Sequence, residues 1–331
     1  MKFKSILYSA AIIAACVACK KDEDESSSLP YLDGTLKIDG LDEFVSPGQK
    51  VTLRANGITS PEGKDVNYYW RVAPSMTQND TTDIFEHTFS DTLRTYTIYC
   101  TAYAEGYNST SVMAYSTVVK AGKDGSIQGI DAFREAIPGT DYYQTAIGTQ
   151  TWTQNNLGNT TGGSPYGGSA LMADIFGKYY NYDDAVAACE ALEGGNWKLP
   201  SKEDWEILEA YLKQQNSETY GKTPAAAIMA DATFNSNKMW EYWPAVGTIK
   251  NGSGLSVIPT GYAIFGTNGS ETDYSEGRYE EIYNYATFWT STSTDDPGKA
   301  YYKYIYLNEP DFFTGVGNKL SFGASVRCIK K

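Results

Sequence analysis

The sequence predicts a multidomain chain, an all-β sandwich followed by an α+β domain, and three observations carry that prediction. Between positions 34 and 119, short runs of alternating apolar and polar residues recur at even spacing, the period-two pattern of half-buried strands. From position 183 onward, two stretches change to helical spacing. From Tyr143 to the end, Gly, Asn, Tyr and Trp become dense, and short strand-like runs alternate with long loops. A chain of 331 residues is long enough for two domains of ordinary size.

Residues 1–19 read as a lipoprotein signal peptide. Lys2 and Lys4 form a basic start, and the apolar run at 6–15 is too short to span a bilayer ~30 Å thick. Ile13-Ala14-Ala15-Cys16 has the form of a lipobox, and Cys16-Val17-Ala18-Cys19 is a second. Cys19 is the preferred acylation site and Cys16 the alternative. Cys19 is followed by Lys20-Lys21-Asp22-Glu23-Asp24-Glu25, a sequel that resembles surface lipoproteins of Bacteroidota-type bacteria. The expected location is therefore the outer membrane, with a lipid anchor and the cell surface as the destination. Residues 20–32, charged and Ser-rich, read as a flexible tether.

Residues 33–121 form the first domain. Strands are expected at 35–38, 51–54, 66–72, 84–89, 96–103 and 112–119, separated by turns such as Ser46-Pro47-Gly48 and Ser60-Pro61-Glu62-Gly63. Six short strands at this spacing point to an immunoglobulin-type sandwich, with Trp70 on the third strand as its buried indole. Cys100 shares a strand face with Tyr96, Ile98 and Ala102, and is expected to be a buried thiol. The pattern is similar to PKD and other Ig-like modules, which implies a spacer. A linker at 122–142 comes next, with a short helix expected around 131–136.

The second domain occupies 143–331. Asp183 to Leu192 reads as a helix stopped by Gly194-Gly195. Ser201 caps another, with Asp204 in a capping-box position and Trp205, Leu208 and Leu212 as its buried stripe. Ordered motifs run through this half: Ile147-Gly148-Thr149-Gln150-Thr151-Trp152, Gly177-Lys178-Tyr179-Tyr180-Asn181-Tyr182 and Trp197-Lys198-Leu199-Pro200-Ser201. Further along lie Pro259-Thr260-Gly261-Tyr262, Phe288-Trp289-Thr290-Ser291-Thr292, Ala300-Tyr301-Tyr302 and Ser325-Val326-Arg327-Cys328. In that order they resemble the Fibrobacter succinogenes major paralogous domain. The family is similar to the C-type lectin-like superfold, and the resemblance implies a disulfide between Cys189 and Cys328.

Composition narrows the chemistry. Forty acidic residues face 27 basic ones, a formal net charge of −13, which argues against a nucleic-acid partner. The chain has one histidine, His87, so a catalytic triad or a His-based zinc site would have to use it. No cofactor is expected. Calcium-dependent lectins use a Glu-Pro-Asn-like triplet, and this chain departs from it with Asn308-Glu309-Pro310-Asp311. Asn308, Glu309 and Asp311 are weak candidate cation ligands, and a solvated turn is the plainer reading. Formylglycine-generating enzymes, a second relative by fold, need redox-active cysteines that this domain does not offer. Asp273, Glu276, Glu280 and Glu281 lie among tyrosines, but nothing in their spacing marks a hydrolase pair.

The aromatic content is the stronger signal, with 27 Tyr, 12 Phe and 7 Trp. Trp152, Trp197, Trp205 and Trp289 fall in the ordered motifs and are assigned to the core. Trp240, Trp243, Tyr262, Tyr274 and Tyr279, with Tyr242 beside them, are the candidate ligand-binding residues. The expected function is non-catalytic adhesion or ligand capture at the cell surface, with a glycan or a surface protein as partner. A structural envelope component and an unrecognised enzyme are the alternatives.

Overall fold

The structure, a computed structural model, describes residues 29–74, 82–130, 135–266 and 277–331, together with the backbone of 77–79. Cys16, Cys19 and Tyr274 lie outside the described residues, and so do Asp273 and Glu276. Among the described residues no helix is long and apolar enough to cross a membrane. The chain is multidomain and mostly β.

The first domain contains β1 (Asp33–Asp39), β2 (Phe44–Val45), β3 (Lys50–Thr59), β4 (Asn67–Ala73), β5 (Thr77–Asn79), β6 (Ile84–Thr88), β7 (Thr95–Tyr103) and β8 (Thr110–Val118). All six strands read from the sequence are present. The two additions, β2 and β5, are only two and three residues long, too short to show an alternation. One sheet has the order β1-β3-β6 and the other β2-β8-β7-β4-β5. Val51, Leu53 and Ala55 of β3 face Tyr96, Ile98, Cys100 and Ala102 of β7 across a single core. Trp70 is fully buried, stacks on Phe85 at 5.4 Å, and donates its indole N–H to the Thr82 carbonyl. Cys100 is a buried free thiol, and burial pushes its pKa up to about 12, so it stays protonated.

The linker is not free. Its segment Ile127–Gln128 pairs with Thr233–Phe234 of the second domain, and Glu135–Ala136 pairs with Tyr143 and Gln144. The short helix expected around 131–136 is thereby corrected: its last two residues are strand, and the remainder lies outside the described residues. Phe44 meets Tyr166 edge-on at 5.6 Å, and Val119 shares a core with Met172 and Phe176. The Asn235 side-chain amide donates to the Val118 carbonyl at 2.9 Å. The two domains are therefore joined by a shared apolar contact, where the sequence pattern suggests a simple spacer.

Among the described residues, four helices order the second domain: α1 (Ala170–Phe176), α2 (Tyr182–Glu190), α3 (Lys202–Gln215) and α4 (Pro224–Ile228). Helix α2 begins where Asn181 accepts from the Asp184 amide, and its Cys189 is bonded to Cys328 with Cα atoms 5.6 Å apart. Helix α3 carries the full capping box between Ser201 and Asp204. Its Trp205 contacts Trp152 at 4.8 Å and stacks on Phe288 at 5.2 Å. Helices α1 and α4 do not show in the sequence pattern. Every residue of α4 is buried, so it has no polar face and no period to read.

Two sheets hold the end of the chain and the outer face of this domain. In the first, Ile329–Lys330 lies between Gln150–Thr153 and Trp197–Lys198. In the second, Tyr285–Ser293, Lys299–Tyr306 and Phe312–Asn318 form an antiparallel meander.

This architecture is open to test in two places. Cys189→Ala paired with Cys328→Ala releases a loop of 139 residues, and chemical denaturation of the double variant should show a loss of about 2–5 kcal/mol. His87 sits between Phe85 and Phe89, its Nε2 has no hydrogen-bond partner, and burial holds its pKa below the ordinary value of 6.5. The fold therefore favours neutral imidazole. Stability should fall as pH drops below about 6.5, where the unfolded chain binds the extra proton first. Thermal melts across pH 7.5 to 5 should show His87→Phe losing that part of the acid sensitivity.

Candidate functional site: an aromatic face on the second domain

Strand Lys299–Tyr306 alternates from Tyr302 onward, and its two faces there have different fates. Lys303 and Ile305 turn inward, and Ile305 joins the core beneath α3. Tyr302, Tyr304 and Tyr306 point the other way and stay half-exposed. Their cross-strand neighbours continue the face, because Tyr285 lies opposite Tyr306 and Phe313 opposite Tyr304.

The rings form one connected surface. Tyr285 stacks on Tyr306 at 4.4 Å and approaches Tyr304 at 5.7 Å. Tyr304 stacks on Phe313 at 5.3 Å and meets Tyr302 at 6.0 Å. Tyr302 stacks on Phe322 at 4.5 Å, and Phe322 stacks on Tyr262 at 5.5 Å. Seven half-exposed rings thus run from Tyr306 on the meander to Phe322 and Tyr262 on the neighbouring three-stranded sheet.

The bed under these rings is fixed. Trp289 is fully buried, donates to the Tyr180 carbonyl at 2.7 Å, and meets Tyr302 and Phe322 edge-on. Gly315 and Gly317 leave the room the rings occupy. A Cβ at Gly315 would lie 2.3 Å from the Tyr302 ring, and one at Gly317 would lie 2.7 Å from Phe322 and 2.8 Å from Trp289. Burial raises the hydroxyl pKa of Tyr262, Tyr285 and Tyr302, with Glu280 and Glu281 adding at Tyr262 and neighbouring hydroxyls at the other two. At neutral pH each is an uncharged donor and acceptor on an apolar ring, the pairing that suits a hydroxylated ring-shaped ligand.

The residues singled out from the sequence do not converge. Tyr262 belongs to the aromatic face. Trp240 does not: it is fully buried, with its indole N–H on the Val257 carbonyl at 2.8 Å, and it is core. Tyr279 is half-buried against Tyr166 and Tyr179, its hydroxyl donating to the Pro165 carbonyl, which pins its hairpin to the domain. Tyr242 is 64% exposed and Trp243 37% exposed, and neither ring joins the connected set. Trp152, Trp197, Trp205 and Trp289 are all buried, as their motifs imply. Of the seven rings, only Tyr262 was singled out from the sequence as a site residue. The run Tyr302-Lys303-Tyr304-Ile305-Tyr306 puts three tyrosines on one strand face, but it does not say whether that face meets core or water.

The candidate cation ligands Asn308, Glu309 and Asp311 sit at the turn after Tyr306. Asp311 faces Lys213 at 3.1 Å, and Lys213 also binds Glu209. That lysine occupies the charge a cation would have neutralised. Among the described residues, no group of three or more His, Cys, Asp or Glu side chains is gathered to hold a metal. Glu280 pairs with Arg278, and Glu281 accepts from the Asn284 amide.

The division between core and face is open to test by substitution. Trp240→Ala should cost about 3–5 kcal/mol of stability, the range for truncating a large buried aromatic. Tyr304→Ala should cost about 1 kcal/mol or less, since its ring is half in water. Urea titration of both variants reads the difference.

The family model of the Fibrobacter succinogenes major domain matches residues 145–330. No curated protein matches the chain. Among solved structures, the PKD domain of the human VPS10 domain-containing receptor SorCS2 aligns at 14% identity, covering 34% of this chain and 98% of that one, with a TM-score of 0.24. The Yersinia pseudotuberculosis adhesin InvE aligns at 12% identity, covering 89% of this chain and 70% of that one, with a TM-score of 0.22. At these scores neither likeness bears on function. The family match takes in more than half of the 331 residues, and the chain belongs to the Fibrobacter succinogenes major domain family, with an Ig-like sandwich in front of the family domain.

Proposed function

We propose that this chain is a lipid-anchored surface module of the outer membrane that captures a glycan through the aromatic face of its second domain. One observation carries the reading: seven connected half-exposed rings, five on the meander and two on the neighbouring small sheet, with the meander's other side fixed by α3 and the core. A rigid ring surface stacks on the apolar face of a sugar with little entropy to lose, and its hydroxyls meet the sugar's own. The acylated cysteine, Cys19 or Cys16, supplies the anchor, and no catalysis is assigned. Two helices packed on irregular antiparallel sheets also suit the C-type lectin-like superfold. Fold alone does not fix activity, so the reading stands on the face rather than on that likeness.

The deciding experiment is a glycan-array screen of the full chain, with and without calcium, and then titration of any hit. Tyr304→Ala and Tyr302→Ala should each weaken binding by about tenfold or more, a change of ~1.4 kcal/mol. Trp243→Ala should leave it unchanged. A folded chain that binds nothing on the array, or a hit indifferent to both tyrosine variants, would overturn the proposal and favour a structural envelope role.

A further inference from the structure

The first domain carries a second aromatic face, on the outer side of the β8-β7-β4 sheet. Tyr69, Tyr103, Met113 and Tyr115 are 39%, 39%, 44% and 49% exposed, values at odds with a plain spacer for side chains of this size. Register puts them together. Tyr69 lies opposite Thr101 and Arg71 opposite Tyr99 on β7, while Met113 and Tyr115 of β8 lie opposite Tyr99 and Thr97. The Arg71 guanidinium rests 4.2 Å over the Tyr99 ring, and the Tyr115 hydroxyl donates to the Met113 sulfur.

Charge is sparse on this face. The chain holds 40 carboxylates, yet the outward positions of β4, β7 and β8 hold none, and their one charged residue is Arg71. Among the described residues Arg71 forms no ion pair. Enrichment in Tyr, Met and Arg with loss of Asp, Glu and Lys is the composition of a protein–protein interface core. An exposed methionine fits a protein neighbour better than a sugar. Two copies of a chain with net charge −13 repel one another over most of their surfaces. Across this face they meet without opposed carboxylates, and the arginine of each finds the aromatic rings of the other.

We propose that the outer β8-β7-β4 face is a self-association surface, pairing two copies of this chain about a two-fold axis near Thr101. The pairing would present two ligand-binding faces from one assembly, and it stands independently of what those faces bind.

Sedimentation of the full chain in mild detergent, over a concentration series from micromolar to several hundred micromolar, tests it. The protein mass of the wild-type species should move from that of one copy towards that of two. Met113→Glu and Tyr115→Glu should weaken association at least tenfold, and Tyr304→Ala should not alter it. Cross-linking reads the same face without a disruptive charge. Thr101→Cys should join two copies through a short bis-maleimide, and Thr52→Cys on the opposite sheet should not. A wild type that stays monomeric throughout overturns the proposal, and so does a dimer indifferent to both glutamates or one joined equally well through Thr52→Cys.

Discussion

The second domain depends on holding its chain end inside its own core. Ile329 lies between two strands that come from distant parts of the sequence, and the residues just before it fix that position. Cys328 is tied to α2 through Cys189. Arg327 is fully buried and has no carboxylate partner, and burial pushes its pKa down to about 9. It is nonetheless well satisfied, donating to the Asn156 side chain and to the carbonyls of Thr153, Gln154, Leu255 and Ser256. An isolated buried cation is costly, and dense hydrogen bonding is what makes it tolerable. In return one guanidinium binds two separated segments, 153–156 and 255–256, where a hydrophobic side chain of similar volume would remove the donor their carbonyls meet.

That closure sets the stage for the aromatic face. The strand before Arg327 brings Ser325 and Ala324 against Phe288 and Tyr180, and Phe322 then projects beside Tyr302. Trp289 fills the space beneath. The face is rigid because each ring leans on another or on a buried tryptophan. It stays open because Gly315 and Gly317 add no side chain where the rings lie. A surface organised this way meets a ligand with its rotamers already restricted, which lowers the entropy lost on binding.

The junction between the domains has a similar logic. Two short strand pairings alone would be marginal, but Phe44 and Val119 of the first domain reach into the same apolar cluster as Tyr166, Met172 and Phe176. The linker is thus held along its described length, and the sandwich is a packed neighbour of the family domain.

The sequence by itself determined whatever depends on local periodicity or on residue-by-residue chemistry. The six sandwich strands, the buried Trp70, the Ser201–Asp204 capping box and the stripe of Trp205, Leu208 and Leu212 were all legible, because each is written within a few turns of chain. The pairing of Cys189 with Cys328 came from family resemblance alone. Tertiary structure decided the rest. Trp240 and Tyr304 are both aromatics near polar neighbours, and no local pattern tells which one faces water. The answer depends on what packs behind each: Val257 and the core behind Trp240, and open solvent before Tyr304. Helix α4 was hidden for the related reason that complete burial erases the amphipathic period from which a helix is read.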